Sequence, residues 1–501
     1  MDAFISSLSI LYDPYLLLVI LAGTVGGVLV GVLPGLSSTM ATALLLPFTV
    51  TMEPLPAIAL LAALYCAGTY GGSITAILIN APGAPPAAAT ALDGYPLALK
   101  GEAGRALGIA TIASSIGGIF SVLVLIVAAP LLARVAYKFG APEYFALAVF
   151  GLSMLASISG KSSVKNLIGG AFGVLISTVG VDFTTSVERF TFGLPELTEG
   201  IHFIPVMIGL FGGAELLSQA ASLDVYYKRI AAVAIRLPSR EDFRKVRGVI
   251  ARSCGIGTFI GILPAEGGTV AAMIAYNEAK RWSKESDKFG EGAIEGIAGP
   301  EAANNAATGG AMVPTLALGI PGSATTAVIL GALMIHGLRP GPYLFAEQPE
   351  LLYSIFIAML VANIMFLGLG LAGAKVFARV TLIPRTFLWP AVFSLAVVGS
   401  YALAQSMLDV WIMLIFTGLG FIFRRYGFSP APIIMGLILG ELVENSLKQS
   451  FLIFDHNLLL FFGRPIVVTF FVLTLAGLFG PAIIGRLTKN FGKFPPATLN
   501  E

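Results

Sequence analysis

Charge is what this chain has least of. Lys, Arg, Asp and Glu make up 12% of its 501 residues, about half the roughly 25% of a soluble domain. A soluble protein of this length could not clothe its surface with so few charges, so the bilayer must be the solvent for most of it. The charges present nearly balance, at a net +2. They form no basic run of the kind nucleic acid requires, so no nucleic-acid partner is expected. Two cysteines, Cys66 and Cys254, both in apolar segments, exclude a disulfide framework and a thiolate metal site. Three scattered histidines, His202, His336 and His456, make no metal constellation. No His-Glu-x-x-His or Gly-x-Ser-x-Gly pattern occurs, which argues against familiar hydrolases. Gly160-Lys161-Ser162 looks like the tail of a phosphate-binding loop, but Leu155 stands where that loop needs its first glycine. No bound nucleotide is expected.

What the chain has is apolar length. It is 56% hydrophobic, with a mean hydropathy of +0.88. Runs suited to spanning include Tyr15 to Leu33, Ala106 to Leu132, Phe145 to Ser159, Leu167 to Val181, Leu351 to Val376, Phe387 to Ala404, Val410 to Phe423 and Pro465 to Ile484. Others are shortened or split by Gly and Pro. About ten to twelve membrane segments are expected, some broken or re-entrant. The start, Met1-Asp2-Ala3-Phe4, lacks a positive n-region, so Tyr15 to Leu33 reads as a retained segment. The fold class is an all-α polytopic membrane protein.

The punctuation of these runs repeats. Gly31-Val32-Leu33-Pro34 followed by Thr39-Met40-Ala41 recurs about 230 residues later as Gly261-Ile262-Leu263-Pro264 followed by Thr269-Val270-Ala271. Gly71-Gly72 leading to Pro82-Gly83 recurs as Gly309-Gly310 leading to Pro321-Gly322, and Pro205 with Gly209 as Pro432 with Gly436. Two similar hydrophobic halves with helices interrupted at matching places point to a secondary transporter whose binding site lies at the interruptions.

Charge places the halves in the membrane. Asp224 to Arg252 holds Lys228, Arg229, Arg236, Arg240, Arg244, Lys245, Arg247 and Arg252 against three acids, and Asn277 to Glu295 holds Lys280, Arg281, Lys284 and Lys288. Positive loops stay in the cytoplasm, so the segment between them, Val249 to Tyr276, should dip in and return as a hairpin. The matching first-half segment, Tyr15 to Pro47, has flanks with acids and no Lys or Arg, which suit the outer face. The two halves are therefore expected to be inverted-topology repeats. Lys100, Arg105, Arg486, Lys489 and Lys493 fit the inside, whereas Arg339 falls in a loop assigned outside. The expected organisation is a first membrane repeat over 1–222, a basic cytoplasmic linker over 223–248, a second repeat over 249–485 and a cytoplasmic tail over 486–501.

Non-helical backbone survives at membrane depth only where protein or a watery cavity covers it. Hydroxyls follow the breaks, at Ser37, Ser38 and Thr39, at Thr269, and at Ser323, Thr325 and Thr326. They sit where the next half-helix starts, and free N–H groups and the positive dipole end there attract anions. No Lys or Arg lies in these motifs, so an anion would be held by backbone dipoles and hydroxyls. The expected substrate-binding residues are Pro34, Gly35, Ser37, Ser38 and Thr39; Asn80, Pro82 and Gly83; Gly267, Gly268 and Thr269; Asn304 and Asn305; and Pro321, Gly322, Ser323, Thr325 and Thr326. Glu301, Asn304, Asn305 and Thr308 fall at i, i+3, i+4 and i+7, one face of a helix. The alternative for this face is a solvated helix end. Its carboxylate, amide and carbonyl oxygens suit Na⁺ or a proton, so Glu301, Asn304 and Thr308 are the expected ion-coupling residues. Asn80, with Tyr70 and Ser73 after Thr69, is a weaker first-half counterpart. Asp93, Asp182, Glu215, Glu441 and Glu444 are either interfacial or further ion sites.

At these residues the sequence resembles a known family. Gly31-Val-Leu-Pro-Gly35, Tyr70-Gly-Gly-Ser73, Ala91-Leu-Asp-Gly-Tyr-Pro96, Gly299-Pro-Glu-Ala-Ala-Asn-Asn305 and Ile320-Pro-Gly-Ser-Ala-Thr-Thr326 look like the large membrane subunit, TctA type, of tripartite tricarboxylate transporters. The resemblance covers about residues 10 to 490. It implies a multi-pass permease of the bacterial inner membrane working with a small membrane subunit (TctB type) and a periplasmic solute-binding protein (TctC type). It implies symport of di- or tricarboxylates driven by Na⁺ or H⁺, with no other cofactor, and an elevator-like movement. Ala81-Pro82-Gly83-Ala84-Pro85-Pro86 departs from the family, whose members often place a hydroxyl residue before the proline. That departure bears on which carboxylate is carried. Two other classes fit the sequence less well. An intramembrane enzyme using Glu301 or Asp93 would need a nucleophile or metal partner on the same face, and none is found. A passive channel would need neither paired hairpins nor a binding protein.

Overall fold

The computed structural model describes residues 2–33, 35–158, 162–182, 184–221, 237–264, 267–380 and 385–489. Pro34, the Gly160-Lys161 pair, most of the basic linker and the tail beyond 489 lie outside the described residues. Helix accounts for 82% of the structure, and the strand pair found, β1 (Gly180–Val181) with β2 (Glu188–Arg189), is two residues a side. The chain is an all-α membrane protein. Among the described residues six helices are long and apolar enough to cross a membrane, and seven more apolar helices are shorter. Two of the shorter ones, Ser38–Thr49 and Ala324–Ile335, begin just after glycine-proline breaks.

The first half opens with α1 (Pro14–Val32), α2 (Ser38–Thr49), α3 (Pro54–Ile79) and α4 (Ala87–Leu97). It continues with α5 (Ala103–Ala136), α6 (Ala141–Ile158), α7 (Ser163–Ser177), the strand pair and α8 (Phe203–Ala220), which contains a wide turn at Ile208–Gly213. The second half has α9 (Arg240–Ile262), α10 (Gly267–Trp282), α11 (Glu295–Leu318), α12 (Ala324–Ile335), α13 (Pro349–Val380), α14 (Arg385–Ala404), α15 (Met407–Arg425), α16 (Pro430–Ile453) and α17 (Pro465–Lys489). Local chemistry starts these helices where they start. Asp13 caps α1 by accepting from the Tyr15 and Leu16 amides at 2.9 and 3.2 Å, with Pro14 in the first turn. Ser239 and Asp242 form a reciprocal capping box on α9. Side-chain acceptors there replace the partners that helix geometry denies the first amides.

The repeated motifs make repeated contacts. A Cβ on Gly31 of α1 would lie 2.5 Å from the Gly68 carbonyl of α3, and one on Gly261 of α9 would lie 2.6 Å from the Ala307 carbonyl of α11. Both pairs occupy the same place in their halves. Without side chains at these points the helix backbones approach closely, as membrane helices need when lipid gives no hydrophobic drive for their association. The caps repeat as well. Asn80 ends α3 in the left-handed conformation (φ 53) and Gly319 ends α11 likewise (φ 71). The next amides, of Ala81 and Ile320, each reach back 3.4 Å to the carbonyls of Thr75 and Pro314. Asn and Gly are the residues that tolerate this cap.

Helices α1–α5 and α9–α13 pack into one bundle; the second combines two groups, α8 with α14 and α15, and α6 and α7 with α16 and α17, joined along α16, and α8 and α14 also pack on α2 of the first. Within the second bundle the halves exchange partners. Gly209 of α8 lies against Met413 and Thr417 of α15, while Gly436 of α16 lies against Gly170 and Val174 of α7. Every residue of α11 is buried, so its polar cluster is not a solvated helix end. Asp93 is buried too. Its Oδ1 accepts the amides of Gly290, Gly292 and Ala293 at 2.7 to 2.9 Å, which ties α4 to the turn before α11.

Replacing Gly31 or Gly261 with Ala should destabilise the protein by about 1–3 kcal/mol, the usual range for overpacking. Gly26→Ala on the same helix meets nothing within 4 Å and should be near neutral. Thermal unfolding in detergent checks this, and equal melting of Gly31→Ala and wild type would rule out the close approach.

Candidate functional site

The breaks meet at one cavity of about 750 Å³. Gly35, Ser37, Ser38 and Thr39 reach it from the turn into α2, Pro82 to Pro86 from the turn into α4, Gly267 to Thr269 from the start of α10, and Ser323 to Thr325 from the start of α12. Four helix N-termini, two from each half, therefore converge on one space. Ser37 caps α2 by accepting from the Met40 amide at 3.2 Å, and Ser323 caps α12 by accepting from the Thr326 amide at 3.2 Å. The amides of Ser38, Thr39, Ala324 and Thr325 belong to first turns that have no intrahelical acceptor for them. They sit on residues that line the cavity. Their dipoles favour negative charge. The halves touch here: Thr39 Oγ1 and Thr325 Oγ1 are 2.6 Å apart, and Tyr65 Oη lies 3.3 Å from Ser323 Oγ.

The polar face of α11 divides in two. Asn304 and Thr308 line the cavity, and Asn304 Nδ2 lies 3.5 Å from the Thr69 carbonyl. Glu301 and Asn305 point away from it. Glu301 is fully buried and takes hydroxyls from three helices: Ser73 Oγ at 2.9 Å, Ser114 Oγ at 2.7 Å, and Thr90 Oγ1. Asn305 is also fully buried, with Nδ2 donating to the Glu301 carbonyl at 3.3 Å. The expected single face divides because neighbours crowd α11 on every side: the pair Asn304 and Thr308, four apart, faces the cavity, and the pair Glu301 and Asn305, also four apart, faces a packed interior.

Other expected site residues are also placed elsewhere. Asn80 is exposed at its left-handed cap and borders a small outer crevice with Tyr95 and Pro96. Thr326 spends its hydroxyl on the α12 cap, accepting from the Ser323 amide at 2.9 Å. Pro321 and Gly322 form the turn behind that cap, with the Gly322 amide donating to Thr315 Oγ1 at 3.1 Å. Tyr70 is buried against Phe366, ring centroids 5.0 Å apart, and bonds Thr111 at 2.8 Å. Pro34 lies outside the described residues. Residues not expected also line the cavity, Tyr65, Phe211, Arg424, Ser429 and Pro430, together with Glu215, one of the acids read as interfacial or as a further ion site. Tyr65 had a legible signal, since it precedes Asn304 by about 239 residues, the spacing at which Thr69 precedes Thr308.

The profile of the tripartite tricarboxylate transporter TctA family matches residues 17–435, a span that contains all four breaks and Arg424. The chain belongs to the TctA family. It is therefore a multi-pass membrane protein of a transporter family. An Agrobacterium vitis protein described as an uncharacterized 52.8 kDa protein in the TAR-I ttuC′ 3′ region is 41% identical over 457 residues, 91% of this chain and 90% of that one. A second A. vitis protein, from the TAR-II ttuC′ 3′ region and also uncharacterized, is 35% identical over 213 residues, 42% of this chain and 88% of that one. No solved structure matches it.

A second cavity, of about 470 Å³, borders the strand pair and gathers Asp182, Arg189, Glu441 and Glu444. Its charges answer one another. Lys448 Nζ lies 2.5 Å from Asp182 and 2.6 Å from Glu444, and Arg189 pairs with Glu444. The Lys448 ammonium holds the Asp182 carboxyl well below the usual range. None of the repeated breaks reaches this TctA-family chain's second cavity.

The hydroxyl pair across the halves gives a test. Thr39→Val and Thr325→Val should each lower the melting temperature, and the double variant should lose less than their sum, with a coupling of about 0.5–1.5 kcal/mol. Strict additivity would show that the two hydroxyls are not paired.

Proposed function

We propose that the chain is the large permease subunit of a binding-protein-dependent, ion-coupled secondary transporter that imports di- or tricarboxylates across the bacterial inner membrane. The observation that carries this reading is the convergence of four half-helix N-termini, with their hydroxyls and amides, on one cavity. That arrangement suits a carboxylate, which accepts several hydrogen bonds and gains from the positive ends of helices. Gly35, Ser37 to Thr39, Pro82, Gly83, Gly267 to Thr269, Asn304, Ser323 and Thr325 are the residues that would hold it. Family membership supports a small membrane subunit and a periplasmic solute-binding protein as partners.

Glu301, Asn304 and Thr308 are the proposed ion-coupling residues, for H⁺ or Na⁺. The setting of Glu301 supports a proton. Ser73 Oγ lies 2.5 Å from the Tyr70 carbonyl and 2.9 Å from Glu301 Oε2, and its single proton serves one of them. An ionised Glu301 draws the protons of Ser73, Ser114 and Thr90. A protonated Glu301 donates to Ser73, whose own proton turns to Tyr70. Either state keeps its hydrogen bonds. The repeated contacts in the two halves, and their exchanged partners, support inverted repeats with re-entrant hairpins. The cavity's place at the junction of two bundles supports an elevator-like movement of one against the other.

Uptake of labelled citrate and succinate into vesicles, with the binding protein present, tests the reading. Uptake should require a Na⁺ or pH gradient, and persistence with neither gradient nor binding protein would overturn it. Asn304→Ala and Ser323→Ala should each cut uptake at least about tenfold with membrane insertion unchanged. Glu301→Gln should abolish uphill accumulation and spare exchange of substrate across the membrane. Full accumulation in that variant would move coupling to another group.

A further inference from the structure

Among the described residues the cavity has two charged groups on its wall, Arg424 and Glu215, and neither belongs to the repeated motifs. Arg424 stands in the last turn of α15 and Glu215 on α8. Small residues bring these helices together: a Cβ on Gly420 would lie 2.7 Å from Ala214 Cβ, and Gly213 abuts the Thr417 side chain. Thr417, Gly420 and Arg424 share one face of α15, so the close approach sets the guanidinium beside Glu215. The two form an ion pair through Arg424 Nη1 and Glu215 Oε2. They are about a quarter exposed, at 27% and 24%.

The pairing is incomplete. Arg424 Nε is buried and has no hydrogen-bond partner, so the guanidinium does not use its paired fork on Glu215. Glu215 has a second engagement, because its Oε1 accepts from Gln219 Nε2 at 3.0 Å. Gln219 in turn accepts from Trp389 Nε1 at 3.4 Å and packs against Gly35, in the first break. Glu215 thus has a partner to keep when it leaves Arg424. The guanidinium gains a better-satisfied geometry from a carboxylate that takes Nη and Nε together.

We propose that the Arg424–Glu215 pair is an exchangeable counter-ion that selects substrates carrying at least two carboxylates. Resting on the carboxylate reading above, it assigns one carboxylate to the half-helix N-termini and a second to Arg424, which releases Glu215 to Gln219. In the empty cavity Glu215 neutralises a cation that would otherwise sit half-desolvated and unpaired. In the loaded cavity Glu215 stays close to the bound anion and weakens its hold, which keeps release possible. The exchange makes and breaks ion pairs only.

The two charges then have opposite effects on binding, which a structural brace does not. The probes are propionate, succinate and tricarballylate, and the readout is their apparent affinity for the full-length chain in detergent at constant ionic strength, from ligand-induced thermal shifts. Wild type should bind succinate and tricarballylate more tightly than propionate. Arg424→Gln should weaken both polycarboxylates about tenfold and leave propionate unchanged, whereas Glu215→Gln should tighten both by a similar factor. Arg424→Lys keeps the charge and should retain the preference, which decides the matter if Arg424→Gln does not fold. Equal weakening of all three acids by both variants would overturn the exchange and leave the carboxylate reading standing. Binding of none of the three by wild type would overturn both.

Discussion

One constraint organises this molecule: backbone that leaves the helix at membrane depth must find hydrogen bonds within the protein. Four glycine-proline breaks open that demand, and it is met by two devices. Just before the second break of each half, a left-handed residue, Asn80 or Gly319, lets the next amide reach back to its own helix. After the breaks, Ser37 and Ser323 take up amides of the following helices. What the caps leave over is a set of first-turn amides, and these gather around one cavity. The proposed binding site is thus what incomplete capping leaves over, gathered from all four breaks in one place.

The gathering depends on how closely the helices pack. Gly31 on Gly68 and Gly261 on Ala307 bring the long helix of one hairpin against the next with no side chain between them. The first bundle buries α11 wholly and holds the four half-helices around it. The second bundle is built on the same device, used reciprocally at Gly209 and Gly436. The cavity lies where the two bundles meet, so its wall is part hairpin and part neighbour, with Phe211, Glu215, Arg424 and Pro430 supplied by the second bundle.

The repeats, the breaks and the hydroxyls after them were legible because a fixed spacing and a fixed local chemistry recur along the chain. Gly35, Ser37 to Thr39, Pro82, Gly83, Gly267 to Thr269, Asn304, Thr308, Ser323 and Thr325 meet as their motifs suggest. Asn80 misled because a left-handed cap and a ligand ask for the same residue. The α11 face misled because helical periodicity says which residues share a side, and nothing about what covers that side. Glu301 illustrates this: its three hydroxyl partners come from α3, α4 and α5, so only the assembled bundle identifies them. The pairing of Arg424 with Glu215, an acid already read as interfacial or as an ion site, was out of reach for another reason. They lie 209 residues apart and carry no motif, and small neighbours on two helices bring them together.

Charge economy explains why a family for anions can afford so few cations at the site. A bare guanidinium beside four helix N-termini would hold a polycarboxylate tightly, and a carrier that binds too well releases slowly. Dipoles and hydroxyls spread the attraction over many weak partners, each satisfied by water when the substrate departs. The single cation on the described wall is already answered by a carboxylate, so the empty and loaded cavities differ little in net charge from the protein's side. In the proposed exchange the protein's own pair stays neutral, so the charge of a loaded site is the substrate's, which the co-transported cations would offset, because each unpaired ion in a low-dielectric membrane costs several kcal/mol. A buried carboxylate at Glu301, held by hydroxyls that accommodate both its protonation states, obeys the same rule. Among the described residues, the buried carboxylates of Asp93 and Glu301 each keep several hydrogen-bond donors at hand.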